Sequence, residues 1–295
     1  MEPRKVIVTL APTGGYSNSA NVPTQPRDIA DQVAECAELG AAIAHMHARL
    51  PDGSPTCDPS VYAEINRLVR EKTDIVINNS TAGGFTRGLA EENSAGQLDL
   101  KHAERFRVLE AGAEMASLSL QTVVALTGDG EILFRNTPNG QLELAKAMAE
   151  KRIKPELEIW SPSEITRDLV RLIDSHQDRA PHMVNLLMGF DAFFQGAIPY
   201  SPRVLQFEIE SLPANCQFTV SGFQEAELPA MTMSILLGGH VRVGLEDCSE
   251  YARGVSATNQ DLVRRAVRLI REFNCEPATP QEARQLLGLP ELVIA

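Results

Sequence analysis

A chain of 295 residues can bury a large core, and 43% hydrophobic with 22% charged residues is ordinary for a globular protein. The net charge of −12 argues against nucleic acid or an anionic membrane as the main partner. No apolar run reaches the roughly 18–20 residues that span a bilayer.

Residues Met1–Lys5 carry no signal-peptide pattern, and the five cysteines contain no C-x-x-C pair. Reduced thiols in a soluble, cytoplasmic protein are therefore expected. The first strand is Lys5–Ala11, ending in the turn Pro12-Thr13-Gly14-Gly15, where backbone can come close to a ligand. Thr13 and Gly14 are accordingly candidate substrate contacts. Arg27–Leu39 has apolar residues at helical spacing, with Gly40 as its stop. The pattern then repeats. The expected strands are Ala41–Ala48, Asp74–Ser80, Glu114–Gln121, Pro155–Trp160, His182–Met188, Gln217–Ser221 and His240–Leu245. The expected helices are Pro59–Arg70, Leu98–Glu110, Gln141–Lys151, Ser163–Ser175, Pro202–Ser211, Glu225–Leu237, Asn259–Phe273 and Pro280–Leu287. Loops over Gly83–Asn93 and Thr127–Gly140 are candidates for insertions or subunit contacts.

Alternating strand and helix units with apolar strands predict a parallel sheet covered by helices. Eight units in succession predict an α/β fold, a (β/α)₈ TIM barrel forming one domain over residues 1–295 with a short C-terminal helical tail. An open doubly wound sheet is the alternative, because periodicity does not report closure.

In a barrel, chemistry gathers at the carboxyl ends of strands. His45 and His47 end the second strand two residues apart, so both imidazoles share one face and stand about 7 Å apart. Such a pair can converge on a metal ion if a third ligand arrives from elsewhere. Glu246-Asp247, just past the eighth strand, supplies a carboxylate, and Arg242 lies on the same strand. His240 opens that strand at the opposite end and is left out of the site. Two imidazoles and a carboxylate suit Zn²⁺ acting as a Lewis acid on a carbonyl. Arg242 would keep Asp247 ionised or hold a substrate carboxylate. Asn78 and Ser80 share a face, as do Ser117, Ser119 and Gln121, and Glu156, Glu158 and Trp160. Phe190, Phe193 and Phe194 follow the sixth strand and would line an acyl pocket or the CoA path, or else pack under a loop or form a subunit contact.

Six motifs stand in one order along the chain: A-P-T-G-G, G-A-A-I-A-H-M-H-A-R, N-N-S-T-A-G-G, M-A-S-L-S, P-E-L-E-I-W and G-G-H-V-R-V-G-L-E-D. In this the chain resembles the β-keto acid cleavage enzymes from Lys5 to about Leu287. The resemblance implies a zinc-dependent, homotetrameric (β/α)₈ barrel that converts a β-keto acid and acetyl-CoA into acetoacetate and a new acyl-CoA. It implies His45, His47 and Glu246 as zinc ligands, Asp247 as the catalytic base and Arg242 as the residue that tunes it. Ser80 and Ser117 match substrate contacts, and Glu158 or its neighbour Glu156 matches an acidic residue of the fifth strand. Tyr16 stands where the aminohexanoate-cleaving member has a glutamate, which argues against an amino substrate. A zinc hydrolase on the same barrel and a non-catalytic, metal-containing binding protein are the competing readings.

Overall fold

The computed structural model describes residues 3–15 and 19–292. Eight strands close into a barrel: β1 (Val8–Leu10), β2 (Ile43–Met46), β3 (Val76–Asn79), β4 (Met115–Ser119), β5 (Lys154–Ile159), β6 (His182–Met188), β7 (Cys216–Gly222) and β8 (His240–Val243). Every neighbouring pair is parallel, and β8 pairs with β1 to complete the ring. The closed ring excludes the open doubly wound sheet.

Along the strands one phase is apolar and meets the helical layer, as at Ala44, Ile77, Leu118, Leu157 and Leu186. The other faces the barrel interior and changes from apolar (Ile43, Val76, Met115, Met183) to buried polar (His45, Asn78, Ser117, Asn185) toward the carboxyl end. The helices are α1 (Pro26–Glu38), α2 (Pro59–Arg70), α3 (His102–Val108), α4 (Pro138–Glu150), α5 (Val170–Asp174), α6 (Pro202–Ser211), α7 (Glu227–Leu236), α8 (Asn259–Glu272) and α9 (Pro280–Leu287). Proline begins α1, α2, α4, α6 and α9, where its missing N–H costs nothing. Asp58, Thr137, Thr258 and Thr279 cap the first turns of α2, α4, α8 and α9.

The helical tail, α9, is the floor of the barrel. Ala283 and Leu287 pack against Ile7, Ile43, Val76, Met115 and Met183 at the amino ends of the strands. Arg284 and Arg70 both bind Glu114, tying α9 to the start of β4 and to α2. The opposite, carboxyl end therefore stays available for a site.

Two expectations are corrected. The helix expected over Leu98–Glu110 begins only at His102, because Leu98–Leu100 is a strand. The loops expected over Gly83–Asn93 and Thr127–Gly140 carry strands too. These join a five-stranded sheet in the order Phe194–Gln195, Val123–Thr127, Gly130–Phe134, Leu98–Leu100, Ala90–Glu92. Its central hairpin turns at Gly128-Asp129, and its members come from three different connections of the barrel. Among the described residues no helix is long and apolar enough to cross a membrane.

His240 is buried at the start of β8, where its Nδ1 accepts the Ile7 N–H. Burial, helped by Arg4, pushes the imidazole down to about 4. A histidine whose folded pKa lies below its unfolded value contributes stability above pH ~6.5, and that contribution fades as the pH falls toward 4. His240→Asn keeps an acceptor for Ile7 and removes the titration. Chemical denaturation at pH 7 and pH 4.5 should show the wild type losing up to about 3 kcal/mol more than the variant across this window. Equal losses would place the acid sensitivity elsewhere.

Candidate active site

His45 is the third residue of β2, and His47 follows immediately after the strand. Their rings lie 5.5 Å apart between centroids. His45 Nε2 is 3.7 Å and His47 Nε2 is 3.4 Å from one oxygen, Glu246 Oε1. Each imidazole is held from behind. His47 Nδ1 is 2.6 Å from the carbonyl oxygen of Gly83, so it carries the proton and leaves Nε2 as an acceptor. Gly83 sits at φ +66°, and a Cβ there would lie 2.4 Å from Cys57 Sγ, so the loop offers this carbonyl only with glycine in place. His45 Nδ1 lies 3.3 Å from Glu156 Oε2, which also accepts from Asn78 Nδ2 at 2.8 Å. A carboxylate behind an imidazole in this way fixes its orientation and makes it a stronger ligand.

Glu246 reaches this point because β8 stops at Val243. Gly244 adopts φ +147° against the Ala11 backbone, and a Cβ there would lie 2.1 Å from the Ala11 carbonyl oxygen. The turn is then pinned by Glu246 N–H donating to Ala11 O at 3.1 Å and by Leu245 N–H donating to Asn259 Oδ1 at 3.0 Å. Burial opposes ionisation of Glu246, but Arg242, His47 and His45 outweigh it and hold the carboxyl far below its ordinary range. On His45, burial and Arg242 act downward, while Glu246 and Glu156 act upward and leave the imidazole raised. The second carboxylate oxygen of Glu246 is buried without a partner. Two imidazole nitrogens, one carboxylate oxygen and this orphaned atom fit a divalent cation, and the three ligand atoms lie within 4.8 Å of one another.

Arg242 bridges both acids. Its Nε donates to Asp247 Oδ2 at 2.8 Å, and its Nη2 donates to Asp247 Oδ1 at 2.9 Å and to Glu246 Oε1 at 2.6 Å. Its Nη1 is buried and has no partner. Burial dominates at Asp247 and raises its carboxyl against the pull of Arg242. Asp247 is fully buried and does not line the cavity, whereas Arg242 does.

The cavity over this cluster measures about 260 Å³. His45, His47, Glu246, Arg242, Ser80, Gly14 and Glu158 line it together. The Ser80 carbonyl accepts from Tyr62 Oη at 3.0 Å, and the Ser80 N–H donates to Met46 O, which fixes the residue against β2. Of the two fifth-strand acids, Glu158 is at the wall and Glu156 lies beneath His45. Burial pushes the Glu158 carboxyl up.

Two expected contacts sit elsewhere. Ser117 is one layer too deep: it pairs across the sheet with Glu156, and its Oγ accepts the Thr81 N–H at 3.1 Å. Ser119, in register with Glu158, is the fourth-strand serine on the cavity, and its Oγ donates to Glu158. Thr13 also leaves the wall. Its Oγ1 accepts from Arg49 Nε at 3.1 Å, and Arg49 also holds the Gly14 carbonyl. Tyr16 lies outside the described residues.

The strand-end reading missed Phe85, Phe134, Phe223, Gln224 and Ser249, all on the wall. Phe223 and Gln224 directly follow β7, so their position was a usable signal. Phe85 and Phe134 come from connections and gave none.

A family model described as beta-keto acid cleavage enzyme matches residues 5–289. The chain belongs to the β-keto acid cleavage enzyme family. A 3-keto-5-aminohexanoate cleavage enzyme of Acetoanaerobium sticklandii is 33% identical, covering 97% of this chain and 98% of the relative. A 3-dehydrocarnitine:acetyl-CoA trimethylamine transferase of Rhizobium meliloti is 28% identical, covering 97% of each. The apo structure of ObcA shares the barrel with a TM-score of 0.68 at 17% identity, over 91% of this chain and 66% of that one. Membership makes this protein a β-keto acid cleavage enzyme, and the hydrolase and binding-protein readings fall away.

Proposed function

We propose that this β-keto acid cleavage enzyme converts a β-keto acid and acetyl-CoA into acetoacetate and a new acyl-CoA, with zinc held by His45, His47 and Glu246. The observation that carries the reading is the convergence of both histidine Nε2 atoms on one Glu246 oxygen at the wall of a partly apolar cavity. The relatives' names support acetyl-CoA as co-substrate. When bound, the cation supplies Lewis-acid stabilisation to the oxygens of the keto acid.

The chain's own residues do the rest. Arg242 Nη1, the donor left without a partner, receives a substrate oxygen. Asp247, with its raised carboxyl, takes a proton from the carbon between the two carbonyls of the substrate. A shift of the Arg242 side chain would open its path. The carbanion attacks the acetyl thioester, a carbon–carbon bond forms, and CoA thiolate leaves. The thiolate adds to the original keto carbon, and the bond from that carbon to the former nucleophile breaks. Acyl-CoA departs, and the acetoacetate carbanion regains the proton from Asp247. Ser80 and the Gly14 backbone position the substrate, and Glu158 with Ser119 borders the reacting carbons. No step needs a covalent enzyme nucleophile.

The resemblance also supports a homotetramer, and five cysteines without a C-x-x-C pair suit the reducing environment of a cytoplasm. Exposed Phe207 on α6 and Leu228 and Leu236 on α7 supply apolar surface for a subunit contact. The test of the function is to incubate the zinc-loaded protein with acetyl-CoA and a panel of β-keto acids and to read acetoacetate. Formation that requires both substrates and stops with a chelator is expected. Bound zinc without acetoacetate from any member of a broad panel would remove the proposal.

A further inference from the structure

The cavity has two unlike ends. Beside His45, His47 and Glu246 it is polar. The remainder is aromatic to a degree the composition does not suggest. Aromatic residues are 5% of the chain, yet six of its ten phenylalanines and its single tryptophan line this one space. The rings form a continuous set. Phe85 lies 4.9 Å from Phe194, Phe194 lies 4.7 Å from Trp160, and Phe190 lies 4.8 Å from Phe223, between centroids. The five-stranded sheet over the barrel mouth contributes Phe134 and Phe194, so part of the fold outside the barrel is committed to this wall.

Among the described lining residues the charged side chains are Arg242, Glu246 and Glu158, and each is already engaged by a neighbouring group. Arg242 is the one lining arginine, and Glu246 and Asp247 engage it at the metal end. Glu158 takes a hydrogen bond from Ser119 Oγ, which itself accepts from Trp160 Nε1 at 3.3 Å. Arg105 stands 4.8 Å from the Phe134 ring centroid but does not line the cavity, and it is tied to Asn136. A substrate charge carried among these rings would be desolvated without a partner. The volume of about 260 Å³ is small for a ligand pocket, which suits the side chain of a short acid.

We propose that the substrates are β-keto acids whose side chain is uncharged and apolar, with a terminal aromatic ring as the best fit. This rests on the β-keto acid reading above. An aromatic wall can also attract a quaternary ammonium through ring faces. Here, however, the Phe85, Trp160 and Phe194 planes meet at 68–72° in edge-to-face contacts. The rings pack on one another and do not form a box of open faces.

The test uses zinc-loaded protein, acetyl-CoA and 3-oxo acids of matched length ending in phenyl, isobutyl, amino, trimethylammonium or carboxylate. The value of kcat/KM for the phenyl and isobutyl acids should exceed that for each charged acid by about 100-fold or more. A charged member within tenfold of the phenyl acid overturns the proposal. Binding is read in parallel without turnover. Trp160 is the only tryptophan and lines the cavity, so quenching of its fluorescence reports occupancy. If no acid yields acetoacetate, the reaction has failed, and this titration still decides the side-chain preference. Tighter binding of the phenyl acid supports it, and equal or tighter binding of a charged acid refutes it. Phe223→Ser, at a half-buried position, should cut the preference for the phenyl acid over 3-oxopentanoate by about tenfold or more. An unchanged ratio would remove Phe223 from the acyl site and count against the proposal.

Discussion

Replacing His47 with alanine should strip the protein of its metal and abolish cleavage. In the proposed metal site His47 is one of three donors, and both of its ring nitrogens are placed for that task. Its Nδ1 is spent on Gly83 O, and its Nε2 faces Glu246 Oε1 at 3.4 Å. Losing a carboxylate behind a ligating histidine typically weakens metal binding by about 10–100-fold, and losing the ligand itself should cost more. Metal content after dialysis, with circular dichroism to confirm folding, checks the result. The side chain is nearly buried but lies past the end of β2, so the barrel register survives its removal. A folded variant with a full complement of zinc would show that the cation binds elsewhere.

Asp247→Asn should do the opposite: keep the metal and lose turnover by roughly 10²–10⁴-fold in kcat, the range expected for a general base. The substitution retains shape and leaves His45, His47 and Glu246 in place. It removes both the proton acceptor and the negative charge that faces Arg242 Nε and Nη2. The metal content distinguishes it from His47→Ala. A variant with normal zinc and near-normal activity would sink the assignment of Asp247 as base and return the role to another acid on the wall, with Glu158 the first to test.

The centre of this site was legible in the sequence because barrels place function at strand ends, and those ends can be read. The spacing of His45 and His47 after an apolar run, and the acids after Val243, were enough to bring two distant segments together. Helices with strong local signals, such as Pro59–Arg70 and Pro280–Leu287, were read to the residue because proline and a capping side chain mark their starts. Depth along a strand was not legible. Ser117 and Ser119 share a face, and alternation cannot say which reaches the cavity; cross-sheet register with Glu156 and Glu158 does. The accessory sheet was missed for a related reason. Leu98–Leu100 is three residues long, and it is a strand only because Ala90–Glu92 and Gly130–Phe134 lie beside it. The aromatic wall was half visible. Phe190, Phe193 and Phe194 cluster in one loop and Phe223 directly follows β7, but Phe85 and Phe134 join them only through the fold.

The most direct test of the account follows the acetyl group. Zinc-loaded protein, a turned-over β-keto acid and acetyl-CoA labelled with carbon-13 in both acetyl carbons would be incubated together, and the products analysed by mass spectrometry. The account requires both labelled carbons in the acetyl half of acetoacetate and an unlabelled new acyl-CoA. Label in the acyl-CoA, or acetoacetate free of label, would contradict it.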